Sequence, residues 1–407
     1  SDVYKRQVFG LPYGVEGVAP ELVMDGMYIE LGDPPTLAAA KFEYIERLGG
    51  ALDLIPVEAN RLYAEGKPAD ALKVLINGVY FARQLAERES ALEKAGGMYG
   101  MCVMLEMMRD VVYRDSRSGS PKLTPDALRD AIKAIGERDL LSIERITYPN
   151  YDRIGAEQLA SKIFLPNGKV NPATFAATMS RISAGTRPLR LFSEAGLWER
   201  AASRHKGAAE TRAAVQNVAN DFAKRWSLDH FDPYMTRPTD LSGTTFRDLS
   251  SVRGLFKNFP VLFELRQRLR AEAAGTRMAL GVQAFALRNK AFPPDLSAIR
   301  PPFVTEIEID PYLASKKRLS FFVPVRDTAS DGSAHEIRVF QVPEYPNFSV
   351  KIGQDQFIIY AAGADLSADW VHDATQANPE YKAGDMLLWP PRFSLVRQYL
   401  TEQGLLK

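Results

Sequence analysis

Residues 354–365 read QDQFIIYAAGAD, and after an acidic loop residues 384–391 read GDMLLWPP; these two stretches decide how the rest of the chain is read. Phe357, Ile358, Ile359 and Tyr360 are β-branched or aromatic, which suits a pleated and buried surface, and Gly363 breaks the run. The loop beyond carries Asp365, Asp369 and Asp373, and Asp385 stands past its far end. A strand that delivers several carboxylates into one loop is either a surface hairpin or a site for a hard cation. Calcium takes roughly six to eight oxygens from carboxylates and backbone carbonyls. Asp365, Asp369, Asp373 and Asp385, with carbonyls near Tyr360 and Gly363, are the expected Ca²⁺ ligands if the second reading holds. In the first, Asp365 caps a turn and the others are solvated.

Further short β-rich runs lie at 304–309, 319–325, 336–342 and Phe348–Ile352, each bounded by Pro, Gly, Asp or Asn. Ahead of them the spacing predicts a helix over 260–290. Leu262, Leu265, Leu269, Ala273, Thr276, Leu280, Ala284 and Leu287 step by three or four and give one apolar stripe. Arg266, Arg268 and Arg270 alternate with leucines and read as its wet face. A long helix followed by short antiparallel strands makes an α+β unit, with the stripe laid on one face of the sheet.

Upstream, residues 36–230 carry helical patterning. One helix is expected over 68–94, stopped by Gly96-Gly97. Another opens at Thr124-Pro125-Asp126, where threonine caps and proline fixes the first turn, and it ends at Gly136. The expected organisation is an extended arm at 8–35, a helical domain at 36–230, a connector at 231–259 and an α+β domain at 260–407. Ser1–Gln7, SDVYKRQ, resembles an in-frame sequencing adaptor, so the natural start is expected upstream, with any export signal or membrane anchor.

The C-terminal part resembles the pseudopilin-like periplasmic domain of bacterial type II secretion and pilus systems. The residues that carry the likeness are Phe292-Pro293 with Leu296, Asp310-Pro311, the run Tyr360-Ala-Ala-Gly363-Ala-Asp365, and Asp385 with Trp389-Pro390. It is similar also to large planctomycete-type envelope proteins that place such a module after a helical region and end in a Trp-Pro-Pro-Arg-like run, as Trp389–Arg392 does. The resemblance implies a bacterial envelope protein on the periplasmic side. Its role would be binding or assembly with a protein partner rather than catalysis.

Composition narrows the field. Fifty-one basic residues against fifty acidic ones leave a net charge of +1, which gives no field for nucleic acid. Cys102 is the only cysteine, so the chain forms no internal disulfide and no cysteine metal cluster; among methionines it reads as a soft packing residue. Met98, Met101, Met104, Met107 and Met108 fall at helical spacing and are expected in the core.

The alternative function is a metal- or carboxylate-dependent hydrolase. Its candidate residues are Asp229, His230 and Asp232, a histidine between carboxylates that can orient an imidazole, or the acidic loop itself. His205, His335 and His372, the remaining histidines, show no metal-ligand spacing. Aspartates around a connector histidine also make an ordinary polar turn, and the sequence leaves both readings standing.

Overall fold

The structure, a computed structural model, describes residues 12–32, 35–136, 143–184, 190–239, 241, 248–328, 333–340, 347–375 and 384–406. The adaptor-like start and Tyr345-Pro346 lie outside them. The protein is α+β, as the patterning predicts: helices dominate, and short strands form one sheet. In chain order the helices are α1 (Pro20–Met24), α2 (Tyr44–Ala64), α3 (Pro68–Ala86), α4 (Ala91–Ser116), α5 (Pro125–Gly136) and α6 (Tyr151–Lys162). There follow α7 (Pro172–Ala184), α8 (Arg190–Ala202), α9 (Ala208–Ser227), α10 (Ser250–Phe256), α11 (Phe259–Asn289) and α12 (Arg392–Glu402).

Two compact units emerge, and neither is a single run of chain. The first is Ser1–Gly50, Gln84–Gly96 and Ile146–Phe263; the second is Ala51–Arg83, Gly97–Arg145 and Glu264–Lys407. In the first, α6, α7 and α8 enclose Leu159, Ile163, Phe175, Met179 and Trp198. Gly155 of α6 lets that helix approach the backbone of Ala38, which a Cβ would meet at 3.2 Å. A second cluster packs Phe222 of α9 with Phe256 and Phe259, and α10 lies within the stretch read as a connector. The expected extended arm likewise contains the short helix α1.

The helix expected over 68–94 is two helices. α3 stops at Ala86, and Gly96-Gly97 lies inside α4. The start of α4 is fixed by a reciprocal cap: the Ser90 hydroxyl accepts from the Glu93 N–H at 3.4 Å, and the Glu93 carboxylate accepts from the Ser90 N–H at 3.3 Å. The two glycines cost about 1 kcal/mol each in a helix, and the packed face of α4 outweighs them. Met98, Met101, Met104 and Met108 are all but fully buried there, as is Cys102. α5 runs as the cap at Thr124 predicts, its hydroxyl accepting from the Ala127 N–H at 3.1 Å.

The sheet belongs to the second unit. Its strands are β1 (Ser320–Phe322), β2 (His335–Val339), β3 (Phe348–Ile352), β4 (Ile358–Ala361), β5 (Asp373–Thr375) and β6 (Asp385–Trp389), in spatial order β1-β4-β6-β5-β2-β3. It is mixed rather than antiparallel, because β5 runs parallel to both β2 and β6. Of the run 304–309 only Ile309 pairs, in a single bridge to Arg318. β4 and β6 are buried at every position, whereas β2 and β3 alternate buried and exposed. That contrast follows from the covering: strands sheltered on both faces read as continuous apolar runs, and strands with one wet face alternate.

One face of the sheet packs Ile337, Val339, Phe348, Val350, Ile358, Tyr360 and Leu387 against Leu395, Val396 and Tyr399 of α12. On β6, Leu388 alternates with Leu387, and it meets α11 at Gly275, where an added Cβ would stand 2.6 Å from its side chain. Trp389, at the end of β6, stacks on Phe357 at 5.0 Å and meets Tyr113 of α4 edge-on.

Candidate functional site

The loop between β4 and β5 is built on Asp385. This first residue of β6 is 1% exposed, and its Oδ2 accepts the N–H groups of Val371 at 2.7 Å and Asp369 at 3.1 Å. Asp365 works from the other end: Oδ2 accepts from the Gly384 N–H at 2.7 Å and Oδ1 from the Ser367 N–H at 3.1 Å. The two carboxylates therefore pin the loop ends by their backbone. Gly363 sits at φ +67°, and a Cβ there would stand 2.4 Å from the Gly384 carbonyl, so the turn excludes any side chain.

Held this way, the loop takes an unusual path. Leu366, Trp370 and Val371 have φ of 62°, 63° and 51°, a region that branched and bulky residues avoid. Leu366 is 51% exposed and Trp370 49%. Trp370 lies edge-on to Phe322 at 5.3 Å, and Phe322 in turn meets His335 at 5.1 Å. His335 and His372 bring their rings to 4.8 Å.

The electrostatics follow from burial. Desolvation pushes the Asp385 carboxyl up to about 7; the two backbone N–H bonds oppose this, and Asp365 and Asp369 nearby add to the rise. Burial, and then His372 beside it, hold His335 below the ordinary imidazole value.

Of the four expected calcium ligands, Asp365, Asp369 and Asp385 come together around the loop. Asp373 is drawn off by Arg338, whose guanidinium grips it through both oxygens at 2.7 and 2.8 Å. The Asp369 side chain accepts from the Ser367 hydroxyl at 3.0 Å. Among the described residues no group of three or more His, Cys, Asp or Glu side chains is arranged to hold a metal ion.

The other candidate, in the first unit, is a turn. Asp229 accepts from the Phe231 N–H at 2.9 Å, and Asp232 caps a short 3₁₀ helix, Pro233–Thr236, by accepting from the Tyr234 N–H at 2.7 Å. His230 packs edge-on against Phe231 at 5.0 Å. Tyr234 fastens the turn to α9 through its hydroxyl, which donates to Asp221 at 2.8 Å.

Two charged clusters escaped the sequence reading. In the first unit Glu93 takes hydrogen bonds from Tyr44 and Arg88, and burial raises it to about 7. Lys94 beside it is fully buried and donates to the Ala86 carbonyl at 3.2 Å; burial draws it down to about 8. The Ser90-x-x-Glu93 spacing was visible and could have flagged this place. In the second unit α4, α11 and α12 bury an ionic group around Glu106, Arg109 and Glu272. Arg266, read as solvent-facing, is 8% exposed and bonds Glu144 at 3.0 Å. A helix covered on most of its sides has no wet face to assign, and the leucine stripe alone does not show that.

The fold and the loop together define an α+β protein with a mixed sheet and a carboxylate-pinned loop. No protein-family model, no curated protein and no solved structure matches the chain. Among the described residues no helix is long and apolar enough to cross a membrane.

Proposed function

We propose that this chain is a non-enzymatic binding and assembly protein of the bacterial envelope, and that residues 363–372 are its contact element for a protein partner. The observation that carries the reading is the pair Leu366 and Trp370, half-exposed in left-handed backbone that the Asp365 and Asp385 carboxylates impose. Strained backbone persists only where its surroundings over-determine it, and such positions concentrate at functional sites. Tryptophan supplies a large, rigid contact at low entropic cost and is enriched among the residues that dominate interfaces. The carboxylates then act by shaping the loop. The periplasmic placement rests on the likeness of the residues between Phe292 and Arg392 to pseudopilin-like domains.

The test is site-specific photo-crosslinking in cells, with the reactive residue placed at 366 or 370 and, as control, at the exposed Glu402. One shared adduct from 366 and 370, in the envelope fraction and missing at 402, supports the reading. Absence of an adduct at both positions, or the same adduct at 402, overturns it.

A further inference from the structure

The second unit holds two arginines whose ion pairs are long. Arg268 of α11 and Arg392, the first residue of α12, have side chains only 13% and 14% exposed. A guanidinium carries five N–H donors and stays charged. Yet among the described residues neither Arg268 nor Arg392 donates a hydrogen bond: the nearest carboxylate oxygens are Glu272 at 3.7 Å and Glu106 at 3.9 Å. The Nε of Arg268 and one terminal nitrogen of Arg392 are buried without an acceptor, and so is the Nε of Arg109 beneath them. Arg109 spends its other nitrogens on the Glu272 carboxylate and on the Thr276 hydroxyl at 2.6 Å.

Charge does not balance either. Arg109, Arg268 and Arg392 share Glu106 and Glu272, which leaves one positive charge over. Asp110 does not offset it, being held by Arg397 at 2.8 Å and by the Ser394 hydroxyl at 2.5 Å. Buried donors in proteins almost always find partners, and those that do not call for an ion or a water. Burial lowers the proton affinity of Arg392, with Glu106 opposing this and Arg268 adding to it, whereas Arg268 itself is raised, its burial outweighed by Glu272 and Glu106. Arg392 also opens α12, whose first turn has no side-chain cap and presents the positive end of the helix dipole. Tyr99 of α4 is 57% exposed and acts electrostatically on Arg392.

We propose that Arg268 and Arg392 form an oxyanion site that takes a phosphate group, free or carried on a small molecule. Planar guanidinium forks match a phosphate through paired N–H···O bonds, and a dianion offsets the surplus charge. Glu272 lies 3.7 Å from Arg268 and Glu106 3.9 Å from Arg392, so each carboxylate offsets part of the charge without occupying the fork.

Calorimetric titration of the whole protein with inorganic phosphate, at constant ionic strength, tests this. Saturable binding is expected, weakened at least about tenfold in Arg392→Gln and in Arg268→Gln. Arg392→Lys, which keeps the charge and loses the fork, falls between. Lys351→Gln, on an exposed sheet position, leaves binding unchanged. Phenyl phosphate separates the sources: tighter binding than inorganic phosphate assigns the site to an ester whose ring Tyr99 meets, and equal binding assigns it to the free ion. Heat absent up to about 10 mM phosphate, or affinity equal in all variants, overturns the proposal. Should the variants fail to fold, arginine-labelled wild-type protein decides by NMR. Two Nε–H resonances that move with phosphate support the site, and none moving refutes it.

Discussion

Two places in this chain set aspartates beside a histidine, and they turn out differently. At 229–232 the carboxylates each accept one neighbouring N–H within a solvent-facing turn. At 365–385 they reach across the fold: Asp385 holds backbone 14 and 16 residues away, and Asp365 holds Gly384. The difference lies in the strand. Asp385 opens β6, which is buried at every position, so its carboxylate is desolvated and must be satisfied by whatever loop passes it. Local sequence around an aspartate says little about its work; the burial of the element it stands on says more.

The sharpest way to break that contrast is Asp385→Ala. It strands the buried N–H of Val371 and the partly buried N–H of Asp369, and stability should fall by about 2–4 kcal/mol in urea unfolding, at roughly 1–3 for a buried group and less for one that water reaches. Asp385→Asn separates shape from charge. The folded carboxyl near 7 lies above its usual value, so its stabilising contribution is complete at low pH and is lost as pH rises through about 7. Wild type should therefore lose stability at this site as pH rises from about 4 to about 7, while Asp385→Asn shows a flatter profile and melts above wild type at pH 8. His335 has the opposite sign. Its depressed value means a contribution present above about 6.5 and lost as pH falls through the folded value, so His335→Gln should flatten the acid side.

Gly363→Ala comes next in size. A Cβ placed 2.4 Å from a carbonyl, at positive φ, should cost about 1–3 kcal/mol. Asp232→Ala removes a helix cap and should cost about 1 kcal/mol by thermal melting. Smallest is Asp373→Asn. It breaks an exposed pair with Arg338, worth about 0.2–1 kcal/mol and weaker still in high salt. A large loss at Asp232 or Asp373, or none at Asp385, would undo the comparison.

How much of this was legible depends on how local each signal is. The long helix α11 and the start of α5 were readable because stripe, cap and first-turn proline all lie within one element. β3 was readable from alternation, and β4 from an unbroken apolar run. The break between α3 and α4 was misplaced because Gly96-Gly97 outweighed the Ser90–Glu93 box six residues earlier. The parallel pairing of β5 was out of reach, since three residues carry no directional signal. The aspartates of the loop could be named from sequence, but not their division into two backbone clamps and one surface pair. Arg268 and Arg392 stand 124 residues apart, and they are linked through α4, whose Arg109 pairs with Glu272 beside Arg268 and whose Glu106 faces Arg392.

The full burial of β4 and β6 has a consequence for how the sheet opens. Amides of Ile358–Ala361 and Asp385–Trp389 sit between two covering layers, so water reaches them only when those layers detach. In hydrogen exchange the middle of the sheet should be the slowest part of the second unit, with Ser349 and Lys351 at the rim exchanging first. The loop is fastened at Asp385 to that slowest strand, so its geometry should outlast the fraying of the sheet's margins.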